Sequence, residues 1–183
     1  MHRTAVALWL CLAATAASVK ATTLTRASLD DLIEKSTAIV RGRVVSATPA
    51  VRGSSIYTAV RVQVIERWKG SQEGQVEVVV PGGTVGGMRE TVTGAPELTA
   101  GAEYVLFLWT GPRNRVTQLL GLSQGVLDLI TNAKGETLVV RSPVDATLVD
   151  PSSGKQVRQE PVQMRLSDFS TRVARTLAGG ANR

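Results

Sequence analysis

The chain predicts an all-β fold: a five-stranded OB-like Greek-key barrel with a short N-terminal helix and a C-terminal helix. Three observations carry that prediction. Residues 54–70, SSIYTAVRVQVIERWKG, place Val60, Val62 and Val64 at every second position, the period of a strand with one buried face. Around this run lie several short β-branched or aromatic segments punctuated by glycine and proline, which is strand and turn chemistry. Helical spacing of apolar residues occurs only near the two ends of the mature chain. A long bent second strand, a third strand, a long irregular connection and two more strands is the order of an OB barrel.

Taken in order, residues 22–26 read as an extended lead-in. Ser28 reads as a helix N-cap with Asp31 three residues on, a capping box for a helix over 29–35. Leu29, Leu32 and Ile33 give it one apolar face, and Asp30 and Asp31 suit the positive end of its dipole. The first strand covers 38–47, with Gly42 inside it marking a bulge or a close approach of backbone. Residues 49–53 turn the chain into the long strand, which ends at Trp68-Lys69-Gly70. A third strand, 75–80, stops at Pro81. Residues 82–101 are glycine-rich and lack apolar periodicity, so they read as a functional loop or an irregular edge. Residues 104–109, YVLFLW, are apolar throughout and predict a strand buried on both faces. Further strands cover 116–122 and 125–130, the latter turning through 132–135 into 137–141. Segments 147–149 and 155–158 form a hairpin. Ser167 caps a last helix with Leu166, Phe169, Val173 and Leu177 on one face. The organisation is therefore 1–21 leader, 22–142 barrel, and 143–183 hairpin and docking helix.

The leader rests on a positive start, Met1-His2-Arg3, followed by an apolar run over 4–17 that is short for a membrane span. Val19-Lys20-Ala21 places small residues where a signal peptidase reads, so cleavage is expected after Ala21, with Ala16 second. Leu10 before Cys11 argues against lipidation. No later stretch approaches the roughly 18 apolar residues of a transmembrane helix. The protein is therefore expected to be secreted or periplasmic.

Composition limits the chemistry. The one cysteine, Cys11, and the one histidine, His2, both leave with the leader. The mature chain then has no disulfide, no thiol or imidazole catalysis and no thiolate metal site, and no cofactor is expected. The formal charge of +6 falls to +4 once Arg3 and Lys20 are removed. With Phe, Trp and Tyr at 4%, that argues against nucleic acid as partner.

The motifs AIVRGRVV over 38–45, Tyr57 through Gly70 and GAEYVLFL over 101–108 resemble a set of uncharacterised secreted bacterial proteins. The resemblance includes the loop pattern Pro81-Gly82-Gly83, Gly86-Gly87 and Gly94-Ala95-Pro96, and it spans 29–130. The same motifs are similar, more remotely, to the netrin-like OB barrels of tissue inhibitors of metalloproteases. Those inhibitors chelate the protease zinc through an N-terminal cysteine. A mature chain beginning near Thr22 lacks it, so that mechanism does not carry over.

The remaining candidates are weak by motif. GGTVGG over 82–87 lacks the Gly-Lys-Ser/Thr ending of a phosphate loop, so turn glycine is the better reading. Glu66, Glu90, Glu97, Glu103 and Asp128 show no spacing that pairs two of them for hydrolysis. Trp68 and Trp109 border strand ends, where they close a barrel or offer an aromatic platform. The functional expectation is a secreted, non-enzymatic binding domain for a protein or other envelope ligand. Its contact residues lie in the 82–101 loop: Gly83, Gly87, Met88, Arg89, Glu90 and Glu97. The alternatives are an envelope hydrolase acting through carboxylates, and an anion binder using Arg158, Arg165, Arg172, Arg175 and Arg183.

Overall fold

The computed structural model describes residues 23–71 and 74–180; the Ala21 cleavage site, Ala16, Cys11, His2 and Arg183 lie outside them. The elements in order are β1 (Thr23–Thr25), α1 (Leu29–Lys35), β2 (Ala38–Arg52), β3 (Ser55–Lys69) and β4 (Gln75–Pro81). Then come β5 (Gly83–Val85), β6 (Met88–Glu90), β7 (Glu103–Thr110), β8 (Thr117–Leu119) and a 3-10 turn, Leu122–Gly125. β9 (Val126–Thr131), β10 (Thr137–Val140), β11 (Thr147–Val149), β12 (Gln156–Val157), β13 (Gln163–Arg165) and α2 (Leu166–Gly180) complete the chain.

Five strands close a barrel in the order β7-β2-β3-β4-β8, with β8 returning to β7. All these pairings are antiparallel except β4–β8, which is parallel and joined at Val79 and Gln118. This is the OB-like barrel that the order of strands predicts. From β7 the sheet continues outward through β9, β10 and β13.

The closure explains the apolar run in β7. Tyr104, Leu106 and Leu108 point into the barrel with Val40, Val44, Val60, Val62, Val78 and Val80. Val105 and Phe107, on the opposite face, pack into a second core with Leu29, Leu32, Ile33, Ile39, Phe169 and Val173. A strand shared by two cores has no wet side, so it shows no alternation. α1 and α2 thus cover one outer face of the barrel. The α1 capping box is present as its sequence predicts: Ser28 Oγ accepts from the Asp31 N–H at 3.0 Å, and Asp31 accepts from the Ser28 N–H at 3.2 Å. At the helix's other end, Lys69 Nζ donates to the Ile33 and Glu34 carbonyls, both at 2.8 Å.

Gly42 marks both features its position predicts. The β2–β3 register shifts between Arg41 and Gly42, and a Cβ at Gly42 would lie 2.3 Å from Val62 Cγ1. Two other expectations need correction. Residues 49–52 do not turn; β2 runs on through Pro49 to Arg52, with only Gly53 and Ser54 between it and β3. Proline is tolerated there because, among the described residues, that part of β2 pairs with β3 alone and needs no second ladder. The lead-in is extended as expected, and it is a paired strand, β1, parallel to β11. The last helix begins at Leu166, so Ser167 lies inside its first turn rather than capping it.

Candidate functional site

The 82–101 segment is half hairpin and half coil. β5 and β6 pair from Gly83↔Glu90 to Val85↔Met88, joined by Gly86 and Gly87 at φ 55° and 82°. Two successive positive φ values make a type I′ turn, which glycine adopts without a steric penalty and which matches strand twist. The hairpin is anchored against β2 and β3. Gly82 N–H donates to Ile56 O at 2.8 Å, and Thr58 Oγ1 donates to Gly82 O at 2.7 Å. Gly83 is itself a packing residue. At φ 144° its Cβ would lie 2.7 Å from Thr58 Oγ1 and 2.9 Å from Pro49 Cβ.

The six expected contact residues divide into two groups. Gly83, Arg89, Glu90 and Glu97 line one cavity of about 190 Å³, floored by Val60, Val80 and Leu98. Gly87 and Met88 sit outside it at the hairpin tip, with Met88 61% exposed. Glu90 faces inward: its carboxylate accepts the Ile56 N–H at 2.5 Å, so it builds the wall instead of presenting a charge. Arg89 and Glu97 make a long ion pair of 3.4 Å across the mouth, and both side chains are mostly exposed. Such a pair contributes little to stability and leaves both charges available to a partner.

The wall formed by 91–97 has a second groove on its other side, of about 390 Å³. Glu97, Asp128 and Asp145 line it above Tyr104 and Val126. Of the carboxylates considered for hydrolysis, Glu97 and Asp128 therefore share one groove. Asp128 accepts from Ser142 Oγ at 2.5 Å. Glu103 is committed elsewhere. Arg43 and Arg41 donate to its two oxygens, at 2.6 Å and 2.9 Å for their Nη2 atoms, and those bonds hold its carboxyl below the usual carboxylate range.

Trp68 is partly buried and packs against the second core. Its ring meets Phe169 edge-on at 5.1 Å, and its Nε1 donates to Ser170 Oγ at 3.1 Å. Trp109 remains 40% exposed on the outer barrel face. The C-terminal arginines are partly spent on structure. Arg172 donates two bonds to Asp30, at 3.1 and 3.0 Å, while Arg165 pairs with Asp168 at 3.0 Å and Glu136 at 3.8 Å. No group of three or more His, Cys, Asp or Glu is arranged to hold a metal ion, and no helix is long and apolar enough to cross a membrane, both among the described residues.

Sequence reasoning missed the polar residues that tie residues 25–29 to the rest. Gln124 is 1% exposed, accepts from the Ala27 N–H at 2.8 Å and donates to Thr25 O at 3.0 Å. Glu160 accepts the Leu29 N–H at 2.8 Å. Arg141, 6% exposed, reaches Ala27 O and Glu160 O at 3.4 and 3.3 Å, and burial lowers its pKa. No local signal marks these three, because their partners lie up to 131 residues away.

No protein-family model matches the chain, and no curated protein matches it either.

Proposed function

We propose that the protein is an extracytoplasmic, non-enzymatic binding domain that holds a protein partner at the β5–β6 hairpin and the cavity beside it. The supporting observation is the convergence of Arg89 and Glu97 over an apolar floor, with Met88 exposed at the adjoining tip. An apolar base with a few convergent polar groups at its rim is the common form of a recognition site. Exposed methionine adds an adaptable apolar contact. The hairpin is a rigid mount, since Gly82, Gly83 and Glu90 bind it to β2 and β3.

The contact residues are then Gly87, Met88, Arg89 and Glu97, while Gly83 and Glu90 shape the site. Deleting the hairpin would disturb β2 and β3, so surface variants test the idea more cleanly. A photo-crosslinker at Met88 should capture one discrete envelope partner. The double variant Arg89→Glu with Glu97→Lys should abolish capture, and a crosslinker at Lys134, on a distant turn, should give none. Equal capture from both positions, or capture indifferent to the double variant, would refute the assignment.

A further inference from the structure

A further cavity, of about 420 Å³, opens where β7 ends and β2 and β8 begin, and it belongs to no part of the reading above. Its lining includes Arg67, Arg115 and the hydroxyls of Thr37, Thr110 and Thr117, and no carboxylate lines it among the described residues.

The 111–116 loop is built to hold Arg115. Gly111 N–H donates to Val116 O at 3.0 Å, the Arg115 N–H donates to Gly111 O at 2.9 Å, and Asn114 Oδ1 accepts from the Val116 N–H at 3.1 Å. Arg115 is thereby kept at φ 53°, a left-handed conformation that non-glycine residues seldom adopt. Strain of this kind persists where the surroundings over-determine it, and it gathers at ligand sites. Arg115 makes no ion pair among the described residues. Thr110 and Thr117 share one hydrogen bond of 2.9 Å between their hydroxyls, so one of the two protons remains to be donated into the cavity.

We propose that this cavity is a binding site for a tetrahedral oxyanion, a phosphate or sulfate group carried by a ligand, with Arg115 as its principal cation. The guanidinium supplies a planar fork that engages two oxygens at once, and a threonine hydroxyl supplies a further donor. This is a separate place for anion recognition from the C-terminal arginines, two of which are already paired.

The test is a titration of the full chain with sodium phosphate and, separately, sodium sulfate, with ionic strength held constant by chloride. Backbone amide shifts of Thr37, Thr110, Arg115, Val116 and Thr117 are followed. Saturable shifts confined to this set, weakened about tenfold or more by Arg115→Gln, are the expected result. Saturation by only one of the two salts identifies the group recognised. Arg115→Gly separates binding from folding: it removes the fork while relieving the positive φ, so melting temperature should hold or rise as binding is lost. Saturation by neither anion, shifts equal to those in chloride alone, or unchanged binding in both variants would overturn the proposal.

Discussion

Glu90 shows how one side chain can look functional in sequence and prove architectural in space. In a glycine-rich segment a carboxylate reads as a ligand contact, yet this one points at the β2–β3 hairpin and accepts the Ile56 N–H. The same geometry sets its energetics. Ile56 is 6% exposed, so its amide has little recourse to water if the acceptor is removed. Leaving such a donor unpaired costs about 1–3 kcal/mol. Glu90→Leu is therefore expected to lower unfolding stability in urea by about 1–3 kcal/mol, while Glu90→Gln, which retains an acceptor oxygen, should lose less than half of that. Equal losses would mean that the charge, not the hydrogen bond, holds the hairpin. Trp68 and Trp109 make the same point for aromatics. Both stand at strand ends in sequence, but only the one facing α2 is taken up by packing.

Elements were legible where their signals are local. The capping box of α1 needs only Ser28 and Asp31, and the alternation of β3 needs only its own valines, so both are readable from the chain. The β5–β6 hairpin was not read, although Gly86-Gly87 is a hairpin turn signal, because its three-residue flanks carry no apolar alternation. The β11–β12 hairpin was read, since its two strands are joined locally across the 150–155 turn, whereas β1 and β13 are three residues long and exist only through partners distant in sequence. The glycines allow a direct comparison between steric and conformational demands. Gly42 needs space: a Cβ there would also meet Gln63 O at 2.9 Å, and backbone in the middle of a barrel cannot yield. Gly87 needs only its positive φ, since nothing lies within 4 Å of its added Cβ. Gly42→Ala is expected to cost about 1–3 kcal/mol or more through overpacking. Gly87→Ala should cost about 1–2 kcal/mol through its left-handed backbone, and Gly87→Asn less. Chemical denaturation of the three variants checks the order, and a Gly42→Ala protein as stable as the parent would contradict the bulge geometry.

At the scale of the whole molecule, the barrel is not finished by its five strands. Its outer face, Val105 and Phe107, is dry only because α1 and α2 lie on it, so both ends of the described chain are needed to complete the second core. The N-terminal end is held there by polar bonds as well as apolar contact. β1 runs beside β11, Leu24 lies against Gly94, and the buried Gln124 has both ends of its amide engaged. None of this could be read from the sequence, where Gln124 is one polar residue between Ser123 and Gly125. The candidate site was partly legible for the same reason in reverse. Arg89 and Glu97 lie eight residues apart on one segment, whereas the cavity around Arg115 is assembled from four segments. Gln124 therefore offers the sharpest test of how the molecule closes. Gln124→Leu preserves volume but strands the Ala27 N–H and the Thr25 carbonyl, and each unpaired group costs about 1–3 kcal/mol if it stays buried. The molecule can limit that loss by letting residues 23–28 detach, which frees both groups to meet water. Hydrogen exchange distinguishes the two responses. The expected outcome is fast exchange at the Leu24 to Ala27 amides with β2, β3 and β7 still protected, because the five-strand barrel retains its own interior core. Uniform acceleration across the barrel would instead mean that the N-terminal segment and the barrel unfold as one cooperative unit.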